Sequence, residues 1–175
     1  MTQERTDLSA FIRAIPDWPK PGILFRDITP LLASPQAFLA AVEALVAPYR
    51  DLGVAYVAAV EARGFIFGSA VAERLSAGFV PIRKKGKLPF ETESVSYALE
   101  YGTDTVEVHR DAVARGAKVL MVDDLLATGG TMRAACELIA KIGGEVVGTT
   151  FLIELKALGG RAKLAGYNIH TVITY

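Results

Sequence analysis

The stretch from Val119 to Thr131 reads Val-Leu-Met-Val-Asp-Asp-Leu-Leu-Ala-Thr-Gly-Gly-Thr, and it leaves few folds open. Val119 to Val122 is apolar without alternation, which suits a strand covered on both faces rather than one with a wet side. Asp123 and Asp124 end the run, a polar glycine loop follows, and a helix opens whose Met132, Ala135, Cys136, Ile139 and Ile142 share one face until Gly143-Gly144 stops it. Val54 to Val60 repeats the plan as Val-Ala-Tyr-Val-Ala-Ala-Val, followed by a glycine turn and an apolar helix from about Phe65 to Ser76. Phe79 to Arg83 is expected as the next short strand, and a last apolar pair covers about Glu145 to Ile153 and Ile169 to Tyr175. Upstream, Ser34-Pro35 reads as an N-cap with proline at the first helical position. Phe38, Val42, Leu45 and Val46 then mark an apolar face that ends at Pro48. Strands alternating with helices give an α/β fold with a mainly parallel central sheet flanked by helices, in which ligands sit at the carboxyl ends of the strands.

With 175 residues, 51% of them hydrophobic, the chain is expected to form a single domain over 1–175. Nineteen basic residues balance nineteen acidic ones, so a general nucleic-acid binder held by phosphate attraction is excluded and any anion site has to be local. Like charges bunch only at Arg83-Lys84-Lys85-Gly86-Lys87, where a less regular region begins. From Lys84 to about Thr105 no helical period is sustained, and a mobile loop or hairpin excursion is expected. Cys136 is the single cysteine, which rules out an internal disulfide and a cysteine-rich zinc site and fits a reducing compartment. Met1-Thr2-Gln3-Glu4-Arg5 lacks an apolar core of the kind a secretory leader has, and no apolar run approaches the ~18 residues of a membrane span, so a cytoplasmic protein is expected.

The loop after the acidic pair carries the chemistry. A Thr-Gly-Gly-Thr turn that opens a helix offers amides without internal partners, the positive helix end and two hydroxyls, which together cradle a phosphate. The carboxylates in front of it accept hydrogen bonds from sugar hydroxyls. Alone, such a turn is an ordinary helix cap beside two solvated acids; behind an apolar strand and an acidic pair, a phosphate next to a ribose is the better reading. No Gly-Lys-Ser/Thr follows the glycines and no Gly-x-Gly-x-x-Gly occurs, so neither a P-loop nor a dinucleotide fold is indicated. The thirteen residues resemble the phosphoribosyl-pyrophosphate signature of the type I phosphoribosyltransferases. That resemblance implies that Asp123 and Asp124 hold the ribose hydroxyls and that Ala127, Thr128, Gly129, Gly130 and Thr131 bind the 5′-phosphate.

The wider resemblance, from Ile15 to the C-terminus, is to the adenine-using members of that family. Pro16-Asp17-Trp18-Pro19-Lys20-Pro21-Gly22-Ile23-Leu24-Phe25-Arg26-Asp27-Ile28 resembles the base-binding segment, and Glu61-Ala62-Arg63-Gly64-Phe65 the pyrophosphate loop. Arg83 to Pro89, with Tyr97-Ala98-Leu99-Glu100-Tyr101-Gly102, resembles the flexible hood over about 84–105; Phe90 departs from the Gly or Arg of relatives, which leaves the hood's resting conformation open. The prolines and Gly22 stiffen and turn the chain before Phe25, presenting an aromatic face with Arg26 beside it. By resemblance Phe25 stacks on adenine while backbone groups around Leu24 and Arg26 read its edge; the alternative is a core plug. Trp18 is expected to be a packing anchor. Arg63, in a tight turn after a buried strand, is placed to grip pyrophosphate bidentately, the alternative being an ion pair with Glu61. Lys84, Lys85 and Lys87 suit either a solvated charge run or cationic cover for the leaving group, with Lys84 and Lys87 the pyrophosphate candidates.

The implied reaction moves the 5-phosphoribosyl group from 5-phosphoribosyl 1-pyrophosphate to N9 of adenine, giving AMP and pyrophosphate. It passes through an oxocarbenium-like state and needs no covalent nucleophile. Glu100, Arg63 and Asp124 are the catalytic candidates; by resemblance Glu100 assists the N7 proton as the hood, with Tyr101, closes over the base. Magnesium is the implied cofactor, held mainly through substrate rather than by direct protein ligands, and a homodimer is the implied assembly. A 6-oxopurine enzyme of the same family is the nearer alternative. A non-enzymatic sensor that controls transcription is the remoter one, because a neutral chain filled by one α/β domain leaves no room for a DNA-reading module. His109, His170 and Cys136 have no partners at ligand or nucleophile spacing, and structural roles are expected for all three.

Overall fold

A computed structural model of the protein describes residues 6–99 and 102–175. It divides into two compact units, one ending at Ala44 and the other running from Leu45 to Tyr175.

In the first unit, β1 (Arg13–Pro16) and β2 (Leu24–Asp27) form a two-stranded antiparallel sheet with Ile15 opposite Phe25. Its connection carries the prolines and is closed by Asp17 Oδ1, which accepts from the Gly22 amide at 2.7 Å. Asp27 then accepts from the Thr29 amide at 2.9 Å and from its hydroxyl at 2.8 Å, leading the chain into α1 (Thr29–Ala33). The Ser34 hydroxyl accepts from the Ala37 amide at 3.3 Å, starting α2 (Pro35–Val46) at the cap its sequence announces. A 3-10 turn containing Pro48 follows it.

The second unit is built on a seven-stranded sheet. Its members are β3 (Tyr56–Val60), β4 (Gly78–Lys84), β5 (Thr92–Leu99), β6 (Gly102–His109), β7 (Lys118–Leu126), β8 (Glu145–Glu154) and β9 (Ile169–Thr174), in the order β5-β6-β4-β3-β7-β8-β9. Pairs β4/β3, β3/β7, β7/β8 and β8/β9 are parallel, and β5/β6 and β6/β4 are antiparallel. With helices α3 (Arg63–Leu75), α4 (Gly130–Lys141) and the short α5 (Gly160–Lys163), this is the α/β architecture with a mainly parallel sheet that the sequence predicts. Val57, Ala58 and Ala59 of β3 and Val119 to Val122 of β7 are fully buried, as unalternating runs require. Phe67 and Val71 of α3, and Cys136, Leu138 and Ile139 of α4, are also buried. Burial of each large aliphatic or aromatic side chain contributes roughly 1.5–3 kcal/mol.

Four expectations shift in detail. Of the irregular region the described residues form two antiparallel strands, as the hairpin expectation has it, and the second runs beyond Thr105 to His109, because Val95, Val106 and Val108 alternate with polar residues and bury one face. Strand β7 does not end at the acids but continues to Leu126, paired with β8 through Leu126 opposite Glu154. The helix expected from Phe65 begins at Arg63, so the turn is confined to Glu61 and Ala62. Trp18 is not a buried anchor: it is 51% exposed, and it meets the Phe25 ring edge-on at 4.4 Å between centroids.

Candidate active site

The carboxyl ends of β3 and β7 open into a cleft of about 360 Å³. Glu61, Ala62 and Arg63 line one wall, Asp123 and Asp124 the floor, and the run from Ala127 to Thr131 the other wall. Parallel pairing of β3 with β7 produces this convergence, since it brings both strand ends and the helices that follow them to one edge of the sheet.

Gly129 stands at φ +78° as the N-cap of α4, a conformation that favours glycine, and a Cβ there would lie 2.5 Å from the Gly160 carbonyl oxygen. The loop is therefore pressed against the start of α5, where a Cβ on Gly160 would collide with the Ala127 carbonyl. Behind it, Glu154, nearly buried at the end of β8, accepts from Arg161 Nε at 2.7 Å and from its NH2 at 2.8 Å, and takes the Thr171 hydroxyl at 3.0 Å. Arg161 holds the Glu154 carboxyl below its ordinary range. The wall that carries the loop is thus fixed by a bidentate ion pair, and the start of α4 lines the cleft in a position set before any ligand arrives.

Asp123 and Asp124 are adjacent on one strand, so their side chains leave on opposite faces. Asp123 Oδ1 accepts from the Asp124 amide at 2.9 Å, and a Cβ on Gly64 would lie 2.8 Å from the same oxygen, so glycine at the start of α3 makes room for this carboxylate. Asp124 Oδ2 lies 2.9 Å from Arg63 Nε. Burial pushes both carboxyls up, Asp123 well up with the charge of Asp124 adding to the effect, while Arg63 acts against the rise at Asp124.

Glu61 meets a different set of cations. Arg83 NH2 and Lys87 Nζ lie 3.1 and 3.0 Å from Glu61 Oε2, and the Lys84 amide donates to Oε1 at 2.7 Å. Lys84 Nζ pairs with Asp104 at 3.1 Å, and the Tyr97 hydroxyl donates to Asp104 at 3.4 Å while accepting from Thr131 at 3.2 Å. A polar chain therefore runs from Thr131 at the start of α4, through Tyr97 of β5 and Asp104 of β6, to Lys84.

Residues 31–167 match the family described as the phosphoribosyl transferase domain. An adenine phosphoribosyltransferase of Rhizobium johnstonii is 56% identical over 177 residues, covering 100% of this chain and 98% of its own. The solved adenine phosphoribosyltransferase of Rhodothermus marinus is 51% identical with a TM-score of 0.91, each chain covered to 96%. The chain belongs to the adenine phosphoribosyltransferases. A further member, from Saccharomyces cerevisiae, 36% identical with a TM-score of 0.90 over 94% of this chain and 96% of that one, was solved with D-2,5-dideoxy-2,5-imino-altritol 1,6-bisphosphate and adenine.

Of the family positions read from the sequence, the structure gathers Arg63, Asp123, Asp124 and Ala127 to Thr131 in one cleft. Among the described residues the cleft lining does not include Lys84 or Lys87, which connect to it through Glu61. Leu24, Phe25 and Arg26 lie on β2 of the first unit, with Leu24 exposed and the other two half-buried. Glu100 and Tyr101 lie outside the described residues. Tyr97, Asp104, Glu154 and Gly160 were not singled out from the sequence. Their importance lies in partners brought together by the fold, as in the seven-residue step from Tyr97 to Asp104 across the hairpin.

Proposed function

We propose that the protein transfers the 5-phosphoribosyl group from 5-phosphoribosyl 1-pyrophosphate to N9 of adenine, giving AMP and pyrophosphate in purine salvage. The observation that carries this reading is the cleft in which two carboxylates lie between a guanidinium and a helix-opening glycine loop. Asp123 and Asp124 take the ribose hydroxyls, and the amides from Ala127 to Thr131 take the 5′-phosphate. Arg63, Lys84 and Lys87 meet the pyrophosphate, and Leu24, Phe25 and Arg26 meet the base. Glu100 and Tyr101 cover it from the hood.

As the bond between anomeric carbon and pyrophosphate lengthens, positive charge grows on the sugar and negative charge on the leaving group. Arg63 meets the second, and Asp124, released from Arg63 as the guanidinium turns to pyrophosphate, faces the first. The loop and the acids fix the sugar so that N9 attacks in line while the base gives up its N7 proton with Glu100 assisting, and hood closure keeps water from taking its place.

Among the described residues no three His, Cys, Asp or Glu side chains gather as a metal cage. The two acids stand ready for the ribose hydroxyls, which suits a hard cation that takes its ligands mainly from substrate oxygens and water rather than from the protein. Magnesium held in this way would supply Lewis-acid neutralisation of the pyrophosphate. The same reading includes a cytoplasmic homodimer, supported by the exposure of Trp18 and Leu24 on the hairpin, and light scattering tests the dimer.

The decisive assay offers the sugar pyrophosphate and magnesium with adenine, hypoxanthine or guanine in turn. AMP from adenine, with far less nucleotide from the others, is expected; a preference for either oxopurine overturns the adenine assignment.

A further inference from the structure

Glu61 lines the cleft two residues before Arg63, yet its side chain is only 10% exposed and its hydrogen bonds go to the segment that ends and follows β4. Its own amide donates to the Ile82 carbonyl at 3.0 Å, which fixes the end of β3 against β4. Its two oxygens then take three donors from the segment that follows: the Lys84 amide, Lys87 Nζ and Arg83 NH2. Arg83 NH1 also donates to the Lys87 carbonyl at 3.2 Å, and Glu107 accepts from the Gly86 amide at 2.9 Å. The turn from Lys84 to Lys87 is thus held by two carboxylates and one guanidinium.

Two cations on one carboxylate leave a net positive charge, with ammonium hydrogens to spare for a further anion. A carboxylate taken this far out of water is costly unless its charge and lone pairs are met, and here both are. Without it, Lys87 becomes a flexible four-carbon stem with no fixed direction, and ordering it would fall on the substrate's binding energy.

We propose that Glu61 is a positioning residue for pyrophosphate: from its place in the cleft wall it holds Arg83 and Lys87, which do not themselves line the cleft, in one fixed set behind that wall, so that the leaving group meets preassembled cations. The proposal rests on the reading of the cleft given above. It adds a residue that touches no substrate and acts through others.

The test titrates two probes separately, inorganic pyrophosphate with magnesium and ribose 5-phosphate, into the full-length wild type and Glu61→Gln. The amide keeps the size of the side chain while removing the charge that holds Lys87. Pyrophosphate affinity is expected to fall about tenfold, the lower end of the range for a charge-assisted contact, with ribose 5-phosphate affinity within about twofold of wild type. In steady state KM for the sugar pyrophosphate rises while KM for adenine holds. Glu61→Asp, which keeps the charge one methylene short, recovers part of the loss. Because Glu61 acts through Lys87, the loss in Glu61→Gln/Lys87→Met is smaller than the sum of the two single losses.

Unchanged or tighter pyrophosphate binding in Glu61→Gln overturns the proposal, the second result making Glu61 a competitor of the anion. Equal loss of both probes also overturns it, since that is the mark of a disordered loop. A wild type that binds neither probe removes the reading of the cleft and the proposal with it.

Discussion

Asp124 and Arg63, 2.9 Å apart, are assigned to opposite ends of one substrate, the ribose and the pyrophosphate, so binding exchanges their mutual contact for two contacts with the ligand. Asp124→Asn removes the charged acceptor while leaving its shape. A hydrogen bond to a charged group is worth ~1.5–3 kcal/mol, so titration of the sugar pyrophosphate should show roughly ten- to a hundredfold weaker binding. Unchanged affinity would reduce the acids to a strand end. Phe25 offers a separable test. It is half-buried and touched edge-on by Trp18. Phe25→Ala should weaken adenine capture about five- to 150-fold, the equivalent of ~1–3 kcal/mol of stacking, with the sugar pyrophosphate bound as before. A buried core plug would instead cost ~3–5 kcal/mol of stability, so a thermal melt on the same mutant discriminates the two outcomes.

Strand β8, loop 127–131 and helix α5 act together through Glu154 and Gly160. The Glu154 carboxyl is held low first by its hydrogen bonds to Arg161, so its share of stability is present above the ordinary carboxylate range and is lost as pH falls through its lower folded value. Glu154→Gln should therefore lower the melting temperature at pH 7, and the gap to wild type should narrow as the pH is taken below about 4, the reference region for a glutamate. A gap independent of pH would show that packing, not charge, holds the wall. Elements such as these differ in how far the sequence reveals them. Buried strands β3 and β7, the Ser34-Pro35 cap and the glycine loop are legible because local composition alone determines them. Strand β6 was missed beyond Thr105 because Val106 and Val108 bury only when Val95 pairs across the hairpin, which is a matter of register. The contacts of Glu61 with residues 22 to 26 positions away were equally out of reach, since sequence gives a charge its neighbours along the chain but not across a sheet.

A chain of zero formal charge that works on a polyanion has to place its cations locally, and here each cation assigned to pyrophosphate stands against a carboxylate: Arg63 on Asp124, Lys84 on Asp104, Lys87 on Glu61. Each of these cations thus has part of its charge met by the protein, while the acids of the cleft floor add negative charge beside Arg63. On the reading proposed above, a divalent cation carried by the ligand would add to the attraction these cations exert on pyrophosphate. This contribution has a thermodynamic signature in the whole molecule. A ligand present at a hundred times its dissociation constant stabilises the folded state by about 2.7 kcal/mol, and for a chain of this size each kcal/mol moves the melting temperature by roughly 2–4 °C. The sugar pyrophosphate with magnesium should raise the melting temperature by roughly 5–10 °C, and a chelator added to the same sample should remove most of that rise. Adenosine, which carries neither phosphate nor pyrophosphate and leaves the cations on their own carboxylates, should produce little shift with or without the metal. If the chelator leaves the rise from the sugar pyrophosphate intact, then Arg63, Lys84 and Lys87 neutralise the anion unaided, and the balance of charge in the cleft tips towards the cations.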